Sequence, residues 1–265
     1  MKKSLINIFN QDNGVIRLTL DDNNNKNALS EAMIGELTEA INAANNNKEI
    51  KVIIIASTGN VFCSGHNLKE ITAARKNNDE GASYFINLFE LCSSLMQLIV
   101  SCSKPVIAEV GGIATAAGCQ LVASCDLAIS SNTAKFATPG VNIGLFCSTP
   151  MVALSRNVSK KEAMKMLLTG DMIDAVEAKR ISLINDYVSE DKLEESVNNL
   201  ANKISKKSLM TIKIGKEAFY KQYDMSLSDA YEYTSMVMAQ NTLKDDAKEG
   251  ISSFIEKRDP NWKDN

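Results

Sequence analysis

His66 is the single histidine of the 265-residue chain. It stands in Phe62-Cys63-Ser64-Gly65-His66-Asn67-Leu68, a loop sequence that follows an apolar run and passes into a helix. An imidazole ordinarily titrates near neutrality, so this loop offers a candidate base, with a ring that only lines a pocket as the favoured reading. The second stretch with chemical potential is Lys104 to Asp126. Its run Pro105–Val110 has the length and β-branching of a buried strand. Gly111 and Gly112 interrupt that strand, and the small residues Ala114-Thr115-Ala116-Ala117-Gly118 lead into helical periodicity from Cys119 to Cys125. The first N–H groups of a helix have no intrahelical acceptor and lie at the positive end of its dipole. Small side chains let a substrate oxygen approach them, and a carbonyl turning into an oxyanion suits that place. A tight strand-to-helix turn with no ligand is the other reading of the same residues.

Six cysteines, at 63, 92, 102, 119, 125 and 147, form no Cys-x-x-Cys pair, and with one histidine they cannot assemble the usual zinc sets. No metal site is expected. Reduced structural thiols in a cytoplasmic protein follow, with the mitochondrial matrix as the alternative for a processed eukaryotic chain. Cys147, in Leu145-Phe146-Cys147-Ser148, reads as a buried or pocket-lining thiol rather than a nucleophile. Glu109 reads as an ion-paired structural carboxylate, and Asp126 as the fixer of a turn. Phe146 and Met151 suit an acyl pocket or a core, and Met225, Met236 and Met238 suit helix packing. No Gly-x-Gly-x-x-Gly follows a strand and no P-loop is present, which leaves dinucleotide and nucleotide-triphosphate readings unsupported.

The elements that must position these groups follow from patterning. Val15–Leu20 alternates as a half-buried strand after the Asn13-Gly14 turn, and Lys51–Ser57 is a continuous β-branched run. Ser30 can cap a helix to about Ala44, and Ser159 to Glu162 has capping-box spacing. Another helix covers about Ala82 to Val100, and Leu127–Ser130 and Lys135–Thr138 are extended. Alternating strands and helices point to an α/β fold. From Thr149 the chain is mainly helical, with helices at about 191–204, 208–220, 226–241 and 245–257. This divides it into a core, 1–200, and a helical tail, 201–265, that packs on its own core or trades places with a neighbouring subunit. A formal net charge of −3 without a basic, aromatic-interleaved stripe argues against nucleic-acid binding. No apolar run approaches the ~18 residues of a membrane span, and Met1 to Gly14 lacks a signal-peptide core.

Asn27-Ala28-Leu29-Ser30, Phe62 to Glu70, Lys104 to Ala108, Ala116 to Leu121, Cys125-Asp126, Leu168-Thr169-Gly170 and Phe254 to Arg258 occur in an order that resembles the crotonase (enoyl-CoA hydratase/isomerase) superfamily. The likeness runs from near residue 10 to near 263. It implies a ClpP-like spiral of ββα units with two near-perpendicular sheets, a C-terminal helical trimerisation region, and homotrimers or hexamers. It implies an acyl-CoA thioester as substrate, with coenzyme A as part of that substrate and no separate cofactor. The thioester carbonyl would be held by the backbone N–H groups of His66 and Ala117. Backbone at Cys63, Ser64 and His66 would line the adenine pocket, and Lys26 and a neighbouring chain's Lys257 would meet the phosphates. Ala28, Gly65, Phe146, Ser148 and Phe254 complete the substrate-binding positions.

The chain departs from that pattern where hydratases carry two glutamates. Gln120 and Gly140 occupy those positions, and neither can ionise. General acid–base catalysis contributes roughly 100- to 10,000-fold per group, so ordinary water addition should be crippled, although Gln120 can still orient a water. Gly140 is read as leaving space without chemistry. Ser148 stands where a dienoyl-CoA isomerase has its base and is no base on its own. The expectation is an acyl-CoA protein with weak or altered lyase or isomerase activity. The rival is a non-catalytic acyl-CoA binder or regulatory subunit.

Overall fold

The computed structural model describes residues 3–264. Strand β1 (Ile6–Asn10) lies antiparallel to β2 (Val15–Leu20), with Ile6 opposite Leu20. Ser30 caps α1 (Glu31–Asn46) by accepting from the Met33 N–H at 3.1 Å. Three units of one kind follow. β3 (Val52–Ser57) and β4 (Val61–Cys63) precede α2 (Leu68–Ala74) and α3 (Ala82–Ser101). β5 (Val106–Val110) and β6 (Ile113–Thr115) precede α4 (Ala117–Ser124). β7 (Leu127–Ser131) and β8 (Lys135–Ala137) precede α5 (Ser148–Asn157). Next come α6 (Lys160–Thr169), β9 (Ile173–Asp174), α7 (Ala175–Arg180) and β10 (Asp186–Val188). The chain ends in α8 (Leu193–Ser205), α9 (Leu209–Gln222), α10 (Leu227–Thr242) and α11 (Asp245–Glu256).

The first strand of each unit enters a six-stranded sheet, ordered β1-β2-β3-β5-β7-β10, and the second enters a four-stranded sheet, β4-β6-β8-β9. Each unit therefore adds one strand to both sheets, which is the expected spiral. β3 shows why its sequence is apolar throughout. Ile53 and Ile55 face the main core with α1, α3 and α4, while Val52 and Ile54 face Leu193, Val197 and Ala201 of α8. Both faces are covered, so alternation disappears.

Four short strands escaped the sequence reading, among them the two-residue β9. β4 and β6 are three residues each, too short for a periodic signal. β6 lies inside the small-residue run, which moves the start of α4 from Cys119 to Ala117. β1 also went unassigned, because four of its five residues are exposed. The tail divides in two. α9 is fastened to its own core: the buried Lys216 ammonium donates to Ile99 O and Lys104 O, both at 3.0 Å, and to Asp126 Oδ2 at 2.7 Å. α10 buries nothing, and Met236 and Met238 are exposed. Helix packing within the chain therefore does not account for those two methionines. α3 corrects another expectation: its most apolar window has a mean hydropathy of 1.3, enough by length and composition to cross a membrane. Its polar residues are scattered, so no uninterrupted run betrays it. Leu88, Cys92, Leu95, Met96 and Ile99 seat one face on the core.

Candidate active site

The site grows from the four-stranded sheet. β4, β6 and β8 are adjacent and parallel, with Val61 beside Ile113 and Thr115 beside Ala137. Their carboxyl ends therefore emerge side by side, neighbouring strands being about 4.8 Å apart. From β4 the chain continues into Ser64-Gly65-His66, from β6 into Ala116-Ala117, and from β8 into Thr138-Pro139-Gly140. Three stretches distant in sequence meet because one sheet edge carries them all. Cross-bonds lock them: Thr115 Oγ1 donates to Ser64 O at 3.2 Å, and Ala116 N–H to Ala137 O at 2.9 Å. The segment before α1 joins as well, since Ser64 N–H donates to Lys26 O at 3.2 Å and Leu29 N–H to Gly65 O at 2.8 Å.

His66 and Ala117 each follow a residue with positive φ. Gly65 has φ 90°, and Ala116 has φ 52° with ψ −119°. The Ala116 angles match the first central position of a type II′ turn, a place dominated by glycine. An L-residue held there stores about 1–3 kcal/mol. The ψ of Ala116 sets the plane of the following peptide and therefore the direction of the Ala117 N–H. Among the described residues, neither the His66 nor the Ala117 N–H donates to any acceptor. The two backbones touch, because a Cβ on Gly65 would stand 2.9 Å from Ala116 Cβ and 3.2 Å from Ala117 N.

The His66 ring packs edge-on against Phe89 of α3, centroids 5.3 Å apart, and its Nδ1 lies 3.4 Å from Leu29 O. A carbonyl only accepts, so that contact puts the proton on Nδ1 and leaves Nε2 with its lone pair. Nε2 is buried without a partner. Burial lowers the imidazole pKa, against the opposing pull of the Leu29 carbonyl, and the neutral form is favoured. Gln120, on the first turn of α4, is likewise buried, and its Oε1 has no partner.

Gly140 is the main correction to the sequence reading. A Cβ there would stand 2.6 Å from Leu145 O and 2.9 Å from Cys147 Sγ, so the position holds no spare room. The Gly140 N–H donates to that sulfur at 3.3 Å. Burial pushes the Cys147 thiol pKa up, which suits a packed thiol and not a nucleophile. Cys63 is fully buried at the end of β4, with its thiol pushed up to about 12. Phe146 and Ser148 are exposed at the entrance to α5, and Met151 is exposed too, so neither Phe146 nor Met151 is core. Lys26 is exposed beside Ser64 with Ala28 buried next to it. Phe254 and Lys257 lie at the end of α11, where Phe254 is 85% exposed, and α11 packs on α9 and α10. Within one chain they are not brought to the other site residues.

Asn27 went unmarked by sequence except as part of a motif. Its buried amide donates to Thr58 O at 3.0 Å and Val61 O at 2.8 Å, and its Oδ1 accepts from Asp22 N–H, pinning the Lys26 loop beside β4. Glu109 pairs with Arg17 at 2.5 Å, the structural role expected. Asp126 does more than fix a turn: it accepts from Val106 N–H, Lys216 and Tyr220 at 2.7, 2.7 and 2.9 Å. That cluster holds α9 against a cavity of about 760 Å³. Four helices line it. α3 contributes Ser93, Met96, Gln97, Val100 and Ser101, one helical stripe, and α5 contributes an equivalent stripe from Thr149 to Asn157. Gln120 and Ser124 of α4, Tyr220 of α9 and Tyr223 just past its end also line the walls. Among the described residues no group of three or more His, Cys, Asp or Glu could hold a metal ion.

The sequence profile of the enoyl-CoA hydratase/isomerase family matches residues 10–265. The mitochondrial enoyl-CoA hydratase domain-containing protein 3 of Xenopus laevis is 47% identical over 257 residues, covering 97% of this chain and 86% of its own length. The crystal structure of the human enoyl-CoA hydratase domain-containing protein 3 superposes with a TM-score of 0.93 at 43% identity, covering 97% of this chain and all of that one (100%). An enoyl-CoA hydratase of Mycobacterium smegmatis gives a TM-score of 0.93 at 42% identity, covering 98% of this chain and 99% of that one.

Proposed function

Because the chain belongs to the enoyl-CoA hydratase/isomerase family, we propose that it binds an acyl-CoA thioester and polarises its carbonyl between the His66 and Ala117 amides. The observation that carries this reading is the pair of positive-φ residues, Gly65 and Ala116, that immediately precede two undonated N–H groups on touching backbones. Such donors act on the charge that develops in the enolate or tetrahedral state, and one of them is worth on the order of 3–4 kcal/mol. Lys26 would meet the nucleotide phosphates, and backbone at Cys63, Ser64 and His66 would cradle the adenine. Coenzyme A arrives with the substrate, and no other cofactor enters the reading.

Ordinary hydration is slow in this reading. Gln120 cannot ionise, and the crowding at Gly140 leaves no place for a side chain that could. Chemistry that needs only a stabilised enolate, a single base or an ordered water stays available, and the unpartnered Oε1 of Gln120 suits a water. The same crowding favours the second reading, a non-catalytic acyl-CoA binder or regulatory subunit. Two measurements separate them. Calorimetry with acetyl-CoA should show binding, and nuclear magnetic resonance in deuterated water should show exchange of the acyl α-protons if the hole stabilises an enolate. Binding without exchange selects the binder. Turnover of crotonyl-CoA at ordinary hydratase rates would overturn the argument from Gln120 and Gly140.

Self-association belongs to the same proposal. Leu227, Tyr231, Leu243, Phe254 and Ile255 of the tail are all exposed by two thirds or more, which supports a homotrimer or hexamer formed by the region beyond residue 200. Light scattering that returned a monomer at micromolar concentration would count against it. The mitochondrial name of the frog relative favours the matrix over the cytoplasmic expectation, and fractionation of the source cells decides.

A further inference from the structure

The cavity among α3, α4, α5 and α9 starts at Gln120, next to the place assigned to the thioester, and its walls are more apolar than polar, with hydroxyls, amides and one guanidinium set among the apolar groups. Its α5 stripe from Thr149 to Asn157 spans about 12 Å at a rise of 1.5 Å per residue. An extended chain with C–C bonds of about 1.5 Å fills that length with roughly eight to ten carbons. Where that stripe ends, at Arg156 and Asn157, a plain hydrocarbon end would desolvate polar groups without replacing their hydrogen bonds. Among the described residues Arg156 is the one basic residue on the wall. Its Nη1 donates to Val152 O at 3.2 Å, one turn back on its own helix. Among the described residues no carboxylate lies within ion-pair distance of it. Two acids share the cavity. Both oxygens of Asp126 are already taken by Lys216, Tyr220 and the Val106 N–H, whereas Asp224 is exposed one turn beyond Tyr220.

We propose that this cavity receives the acyl chain of a CoA thioester that ends in a carboxylate, with Arg156 as its counter-charge. The inference rests on the acyl-CoA reading above and adds the substrate class. A guanidinium can hold such a carboxylate through two parallel N–H bonds, a geometry that a lysine cannot copy.

The test is calorimetry at low salt with free CoA, octanoyl-CoA and suberoyl-CoA, which carries the octanoyl chain with a distal carboxylate. Suberoyl-CoA should bind about ten-fold more tightly than octanoyl-CoA, the span of one hydrogen bond to a charged group. The preference should narrow as salt rises. In Arg156→Gln it should vanish, and in Arg156→Lys it should survive in part, with the affinity for free CoA unchanged in both. Equal affinity for the two thioesters, or a preference that survives in Arg156→Gln, overturns the subsite and leaves the CoA reading standing. Failure of free CoA and of both thioesters to bind the native protein sinks the CoA reading, and the subsite with it.

Discussion

Replacing Gly65 by alanine tests the junction of the two loops, and Gly144→Ala supplies its control. Both glycines have left-handed φ, 90° and 75°, but a Cβ on Gly144 meets nothing within 4 Å. Gly144→Ala therefore exposes the backbone term alone, about 1–2 kcal/mol, less about 0.4–1 kcal/mol for the stiffer unfolded chain. At Gly65 the new methyl would stand 2.9 Å from Ala116 Cβ and 3.1 Å from Thr115 O, against about 3.5–4.0 Å for relaxed carbon contacts. Overpacking of that kind adds about 1–3 kcal/mol. The expected difference between the two variants is thus about 1–3 kcal/mol, or several degrees in Tm at about 2–4 °C per kcal/mol. Thermal unfolding by circular dichroism reads it. Any give at Ala116 also re-aims the Ala117 N–H, so α-proton exchange should fall toward the 100- to 1,000-fold loss of a missing oxyanion donor. If Gly65→Ala melts no lower than Gly144→Ala, the two loops are not packed as described and the argument for converging amides fails.

Lys216→Met strands the Asp126 carboxylate and should cost about 3–5 kcal/mol in urea unfolding, whereas Lys216→Met with Asp126→Asn should recover part of it; equal costs would show that the pair is not coupled. His66 contributes a pH dependence of definite sign. Its folded pKa lies below the ordinary 6.5 because burial disfavours the charged ring, so the unfolded chain binds more protons, and stability should fall as pH drops through about 6.5 toward the folded value. Subtracting the Tm profile of His66→Asn isolates this slope from the carboxylates, and a flat difference between pH 7 and pH 5 would refute it. Gly140→Ala should destabilise more than Gly144→Ala, with partial rescue by Cys147→Ala, which removes the 2.9 Å sulfur contact but leaves Leu145 O; no rescue would mean the sulfur is not the obstacle.

Where a residue's neighbours in sequence decide its structure, the chain was legible. Ser30 and Ser159 accept from Met33 N–H and Glu162 N–H as the capping patterns predict. The run Lys51–Ser57 became β3 one residue shorter, since a strand covered on both faces is written as continuous apolar sequence. β4 and β6 were not legible, because three residues in a buried parallel sheet carry no period. The positions of His66 and Ala117 came from family likeness; their juxtaposition depends on β4 lying next to β6, which no local pattern specifies. Gly140 illustrates the limit most clearly. A glycine reads as empty space in a sequence, and only folding reveals the Leu145 carbonyl and the Cys147 sulfur that fill it. The exposed methionines of α10 show the converse, an apolar pattern that has no companion within one chain.

The salt link from Lys216 to Asp126 makes one wall of the cavity a loan from the tail. The loops proposed to grip the thioester and the helix proposed to meet the far end of its chain thus belong to different parts of the polypeptide, fastened at one charged rivet. Substitutions along α9 could retune which chains are accepted while the reacting end keeps its geometry. Any event that shifts the tail, such as docking of a neighbouring copy on α10, would be felt first at the far end of the ligand.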